Sequence, residues 1–244
     1  MAKKRLGLKQ IRLLFVKLVL SLFLLSVVWV LLYRWVSPPA TLHMIQRRAE
    51  AGAAGKPEPE IKYTFVSLKD MSPQLPLAVV ASEDQLFLLH HGFDFDAIWD
   101  AFKRNQKGEK IRGGSTISQQ VAKNVFLWHG RSYVRKAVEA YFTMLIELLW
   151  GKERIMEVYL NIAEMGDGVF GVEAASQTYF NKPAKDLGRQ QAALLAAVLP
   201  NPIRFSAKRP SGYVRTRRAR IARAMSRLGG TTYIQEILPE EDEN

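Results

Sequence analysis

Between Leu13 and Tyr33 the chain carries a single charge, Lys17, and no other feature limits its architecture as strongly. About 21 apolar residues make a helix of roughly 31 Å, the thickness of a bilayer's hydrocarbon core. Lys17 lies near the start of the run, within snorkelling reach of lipid headgroups. Trp29, Tyr33 and Trp35 crowd the far end, where aromatic rings favour the interface. The rival reading is a cleaved signal peptide, but the apolar core is too long, and Ser37-Pro38-Pro39-Ala40 is a poor cleavage site. Residues 13–36 are therefore read as one transmembrane anchor. Residues 1–12, with Lys3, Lys4, Arg5, Lys9 and Arg12, form a cytoplasmic basic N-terminus, which puts the remaining chain outside the cytoplasmic (inner) membrane.

After the anchor, His43 to Pro59 is rich in Ala, Gly, Arg and Pro, and residues 37–61 read as a linker or short stalk. Tyr63 to Leu68 alternates like a short strand, and from there the apolar spacing is helical almost throughout. Helices are expected from Ser72-Pro73 onward, after an Asp94 cap with Ile98, Trp99 and Phe102 buried, and over about 116–125, 131–150, 152–165, 172–180, 189–198 and 212–228. Residues 231–244 read as an acidic tail, leaving 62–230 as one mainly α domain. There is no cysteine, which excludes disulfides and thiolate chemistry. The net charge of +12 calls for anionic partners such as phospholipid, phosphorylated substrate or nucleic acid.

Three polar stretches stand out. In Ser82-Glu83-Asp84-Gln85-Leu86-Phe87-Leu88-Leu89-His90-His91-Gly92, helical spacing puts Glu83, Phe87 and His90 on one side, facing a cleft or solvent. A solvated acidic turn explains that spacing equally well. In Gly113-Gly114-Ser115-Thr116-Ile117-Ser118-Gln119-Gln120-Val121-Ala122-Lys123-Asn124, Thr116 and Gln119 make a capping box. Capping leaves Gln120, Lys123 and Asn124 unexplained, and free amides beside a lysine make a natural anion site. Arg131, Arg135 and Glu139 follow at i, i+4 and i+8, with Lys136 alongside. A surface Arg135–Glu139 pair would contribute only about 0.3–0.5 kcal/mol. Gly166-x-Gly168-x-x-Gly171 matches a dinucleotide-binding pattern, but it follows a helical stretch with no βαβ unit, so a nucleotide cofactor is rejected.

In order, these segments resemble the glycosyltransferase family 51 domain, the polymerase half of bifunctional penicillin-binding proteins. The resemblance rests on Glu83-Asp84-x-x-Phe87-x-x-His90-x-Gly92, Gly113-Gly114-Ser115-Thr116-Ile117-x-Gln119-Gln120-x-x-Lys123-Asn124 and Arg135-Lys136-x-x-Glu139. It extends through Lys152-Glu153-Arg154-Ile155-x-Glu157-x-Tyr159-Leu160-Asn161 and Gly168-x-x-Gly171-x-x-x-Ala174-Ala175-x-x-Tyr179-Phe180. No Ser-x-x-Lys or Lys-Thr-Gly occurs, so the chain resembles a monofunctional transglycosylase of that family, without a transpeptidase half.

The resemblance implies a lysozyme-like helical domain behind one transmembrane helix in the bacterial inner membrane. Its substrates would be lipid II and a lipid-linked glycan chain, joined β-1,4 with inversion at C1 and release of undecaprenyl pyrophosphate. Glu83 would be the general base and Glu139 the second acidic residue. Ser115, Thr116, Gln119, Gln120, Lys123, Asn124, Arg131, Arg135 and Lys136 would bind the substrate and its pyrophosphate, supported by Asp84, Phe87 and His90. No organic cofactor is implied. A divalent cation, Mg or Mn, at the pyrophosphate is left open, as are other cell-wall synthesis or division proteins as partners. Two rivals are a lysozyme-like hydrolase or lytic transglycosylase, and a non-catalytic basic module at a membrane surface using Arg215, Arg217, Arg218, Arg220, Arg223 and Arg227. Placement outside the membrane argues against nucleic acid.

Overall fold

The computed structural model describes residues 7–53, 60–106, 114–128, 130 and 132–239. Arg131 and Gly113, both named above, lie outside the described residues, as does the side chain of Phe102. The chain divides into two compact units, 1–37 and 38–244. The first contains α1 (Leu8–Trp35), 28 residues without an acidic group in its first turn and long and apolar enough to cross a membrane. Trp29 and Tyr33 meet edge to face, with centroids 6.3 Å apart, at its C-terminal end.

The second unit is helical, with one small sheet. It opens with α2 (Leu42–Ala53), inside the stretch expected to be a linker. Alanine, arginine and glutamate are good helix formers, so a composition that suggests a stalk is equally compatible with a helix. Its Arg47 reaches Glu164 (Nε to Oε1, 3.2 Å) and Asp167 (Nη2 to Oδ1, 2.7 Å), and His43 Nε2 lies 3.3 Å from Glu164 Oε2. Burial alone would push the Glu164 carboxyl up. The hydrogen bond from His43, the charges of Arg47 and His43, and the Gly168 N–H outweigh it and hold the group below its ordinary range.

Glu164 belongs to a three-stranded sheet ordered β1 (Lys62–Tyr63), β3 (Val169–Phe170), β2 (Glu164–Gly166). β1 runs parallel to β3, pairing Lys62 with Val169, and β2 runs antiparallel to it with a bulge between Glu164 and Gly166. The Gly166-x-Gly168-x-x-Gly171 stretch is this hairpin and the start of the following helix, not a phosphate loop. Only Tyr63 of the alternating 63–68 segment pairs as strand, together with Lys62 before it. Asn161 holds its continuation, accepting from Val66 N and donating to Val66 O, both at 2.9 Å.

Around the sheet stand α3 (Gln74–Glu83), α4 (Phe95–Gln106), α5 (Ile117–Phe126), α6 (Tyr133–Leu149), α7 (Gly151–Ile162), α8 (Val172–Phe180), α9 (Arg189–Val198) and α10 (Gly212–Arg227). The core sits where α3 is enclosed by α9 and α10, and Leu75 to Ala81 are all buried. α9 presents Ala192, Ala193, Ala196 and Ala197 there, small side chains that let helix axes approach closely. α5 packs on α6 and α7, with Phe126 stacked on Phe142 at 4.7 Å.

Two further expectations fail. Phe95, Ile98 and Trp99 on α4 are 73, 40 and 57% exposed, so the apolar face of this Asp94-capped helix is not in the core. Residues 230–237 are not tail but a 3-10 helix that buries Ile234 and Ile237 and hydrogen-bonds Tyr233 Oη to Gln85 O at 2.7 Å.

Gly171 has φ +81°, and a Cβ there would sit 2.4 Å from the Asn161 carbonyl oxygen. Both the left-handed backbone and the clash oppose any side chain, so Gly171→Ala should lower unfolding free energy by about 2–4 kcal/mol. Urea denaturation checks this. A midpoint equal to the parent's would mean that the turn relaxes freely.

Candidate active-site cleft

Glu83 is the last residue of α3, and the chain turns immediately afterwards. Residues 84–90 form turns rather than the expected continuation of the helix. What stops the helix is the Asp84 side chain, only 3% exposed. Its Oδ2 accepts from Ile117 N, the first amide of α5, at 2.9 Å, and His90 Nε2 lies 2.9 Å from Oδ1. Gly92 N donates to His90 Nδ1 at 3.1 Å, so the imidazole proton sits on Nε2 and points at Asp84. Phe87 is fully buried, edge-on to His90 and under Lys152 Nζ at 4.6 Å from the ring centroid. Asp84, Phe87 and His90 thus form a joint between α3 and α5.

The capping box forms as the sequence reads. Gln119 N donates to Thr116 Oγ1 (3.2 Å), Thr116 N donates to Gln119 Oε1 (3.0 Å), and Thr116 Oγ1 donates to Gly92 O (2.7 Å). Both residues are 3% exposed. Thr116 and Gln119 are therefore engaged inside the cap rather than turned to a ligand, and Asp84 already fills the anion position at the start of α5. The structure thus gives both residues a capping role. Ser115, Gln120, Lys123 and Asn124 do reach the cleft.

The Glu83 carboxylate is held from three helices. Ser82 Oγ donates to Oε1 (3.0 Å), Gln120 Nε2 to Oε2 (3.3 Å), and Arg217 Nη2 of α10 to Oε1 (3.1 Å). Gln120 is oriented in turn by Tyr159 Oη, which donates to its Oε1 at 3.3 Å. Burial pushes the Tyr159 phenol well above its ordinary pKa, and the charges of Glu83 and Asp84 push it further while Arg217 opposes them. The phenol therefore stays a donor. In the sequence Arg217 is one of six arginines in a basic C-terminal stretch. Its partner lies 134 residues away, and no local pattern signals that pairing.

Two cavities meet at Gln120 and Lys123. One, about 630 Å³, holds Glu83, Ser115 and Arg217, and the other, about 380 Å³, is lined by Asn124, Trp128, Arg135, Tyr159 and His43. Behind the second lies Glu139, 3% exposed, with Arg135 Nη1 at 3.4 Å from Oε2 and Lys136 Nζ on Oε1. Arg135 is itself only 15% exposed, so this is not the weak surface pair considered above. Both carboxylate oxygens of Glu139 face cations. Among the described residues no three acidic or histidine groups converge.

Lys123 is accessible from the cleft but stands in its concave wall. Loss of water there lowers its pKa, Arg135 and Lys136 lower it further, and Glu139 and Glu83 pull it back up. The cleft is thus a carboxylate joined to a cationic hollow, suited to deprotonating one group while neutralising an anion beside it.

Residues 52–226 match the family model described as transglycosylase, well over half the sequence. The chain belongs to the transglycosylase family. A Pasteurella multocida protein named biosynthetic peptidoglycan transglycosylase is 55% identical over 87% of this chain and 85% of its own length. Proteins of the same name from Pseudomonas entomophila and Shewanella oneidensis are 52 and 50% identical, over 87 and 93% of this chain and 89 and 96% of theirs. In this transglycosylase, much of the later motif pattern is scaffold. Lys152 Nζ donates to His90 O (2.6 Å) and Glu147 Oε1 (2.8 Å), and Glu157 Oε1 accepts from Leu68 N (2.9 Å).

A lowered pKa means more neutral amine at a given pH. Lys123 should therefore be acylated at neutral pH, and inorganic pyrophosphate, by favouring the charged form, should slow it. Peptide mapping after limited labelling reads this out. A Lys123 that resists labelling, or whose labelling is indifferent to pyrophosphate, would contradict the cationic hollow.

Proposed function

We propose that this chain is a peptidoglycan glycosyltransferase that polymerises lipid II into β-1,4-linked glycan, inverting C1 and releasing undecaprenyl pyrophosphate, without transpeptidase activity. The donor is the growing lipid-linked strand and the acceptor is lipid II. Glu83 takes the proton from the acceptor 4-hydroxyl as that oxygen attacks C1 of the donor. The C1–O bond to phosphate breaks, and the pyrophosphate leaves with the bonding electrons. A base of this kind contributes about 10²–10⁴ in rate. Lys123 and Arg135 stabilise the charge growing on the leaving group, with Arg131 assigned to the same task. Gln120 and Ser115 orient the reacting groups. Glu139 aims Arg135 and Lys136.

The observation that carries this reading is the inequality of the two glutamates. A glycan hydrolase needs an acid to protonate a departing sugar and a second carboxylate across the bond. Here Glu83 opens onto a cleft, whereas Glu139 is buried and neutralised by two cations. Phosphate departure needs cations and no acid, which fits the arrangement. α1 would anchor the enzyme in the cytoplasmic membrane with its N-terminus inside, bringing the second unit to a lipid-borne substrate on the outer face, where other cell-wall synthesis or division proteins would be its partners.

Glu83→Gln keeps size and hydrogen bonding but removes basicity, so turnover on labelled lipid II should fall by at least about 10² with the melting temperature preserved. Full polymerisation by this variant would overturn the assignment.

A further inference from the structure

The reaction above uses Glu83, Lys123 and Arg135 and leaves the opposite wall of the cleft without a role. That wall is α10, which is exceptionally rich in arginine. Arg217, Arg220 and Arg227 line the same 630 Å³ cavity as Glu83. Beside it a second cavity, about 600 Å³, is lined by Arg220, Arg223, Ser226 and Arg227. The two share Arg220 and Arg227, so a cationic surface runs from the base outward.

Arg217 is committed to Glu83 at 3.1 Å. Among the described residues no carboxylate pairs with Arg220, Arg223 or Arg227. Arg220 and Arg223 are three positions apart, Arg223 and Arg227 four, spacings at which like charges on a helix destabilise it. These three guanidinium groups weaken the helix unless an anion joins them.

The cleft's geometry indicates which anion. With the donor's leaving group on the Lys123–Arg135 side and the acceptor hydroxyl at Glu83, the rest of the acceptor must extend away from the pyrophosphate hollow. Helical rise carries the arginine row about 15 Å from Arg217 to Arg227, the reach of two sugar rings and the groups they bear. The acceptor's second sugar bears two kinds of oxyanion, the pyrophosphate on its anomeric carbon and the carboxylates of its peptide.

We propose that Arg220, Arg223 and Arg227 form an acceptor subsite that grips oxyanions on the reducing-end sugar of the incoming lipid-linked disaccharide. This rests on the glycosyltransferase reading. The guanidinium forks supply bidentate donors, act on binding rather than on bond breaking, and hold the acceptor with its hydroxyl at Glu83.

The test uses the full-length chain in nonionic detergent without phospholipid, with an Arg220→Gln/Arg227→Gln double variant. Glycan formation from lipid II should show KM raised about tenfold to a hundredfold, a loss falling on KM rather than kcat, with a melting temperature equal to or above the parent's. The dependence of KM on salt should flatten. Arg220→Lys/Arg227→Lys should recover part of the loss. Repeating the comparison with lipid II whose peptide carboxylates are amidated separates the two sources of charge. If the penalty persists the shelf reads phosphate, and if it vanishes the shelf reads carboxylate. Equal KM in parent and double variant overturns the subsite, as does a loss that tracks melting temperature. So does a penalty seen only with anionic vesicles, which would make the row a membrane contact. If the parent chain itself makes no glycan, it is the glycosyltransferase reading that fails.

Discussion

The Asp84 carboxylate is the joint on which the cleft depends. It is nearly fully buried, lies at the N-terminal end of α5 and binds both the first amide of that helix and the His90 imidazole. A carboxylate in this position gains from the helix dipole and satisfies donors that would otherwise be buried without partners. By turning back to α5 it ends α3 at Glu83, so the glutamate leaves the core and enters the cleft. It also fixes the start of α5, and hence the turn that carries Gln120 and Lys123.

Three helices then share the work unequally. α3 is buried by its neighbours from Leu75 to Ala81, and it delivers one carboxylate. α5 supplies Gln120, whose amide is held between Tyr159 and Glu83, and Lys123. α6 supplies cations braced from behind by a buried glutamate. The consequence is a site with one accessible carboxylate flanked by positive charge on both sides, Arg217 on one and Lys123 with Arg135 on the other. That asymmetry separates phosphate displacement from glycan hydrolysis more sharply than the helical fold does, since both chemistries can be built on such a fold.

Periodicity made most of the helices legible, because α5 to α10 each bury an apolar face whose spacing survives in the sequence. The Thr116–Gln119 box was readable for the same reason, being local. The stretch after Glu83 misled because Phe87 and His90 at i+4 and i+7 fit a helix and a compact turn equally. What separates the two is Asp84's contact with a residue 33 positions away. Arg217 was hidden for a similar reason, since one arginine among many neighbours carries no mark of a distant partner. α2 was missed because its docking depends on Arg47 finding Glu164, 117 residues later, and its composition also suits a linker.

The central claim is that the cleft joins sugars by displacing phosphate with inversion at the donor carbon. It is tested most directly by the anomeric configuration of the product made by the purified full-length chain from lipid II. The account predicts a polymer whose new linkages are all β-1,4 by NMR coupling at the anomeric proton, and which lysozyme degrades to disaccharide-peptide units. An α-linked polymer, or free reducing disaccharide with no polymer, would contradict it.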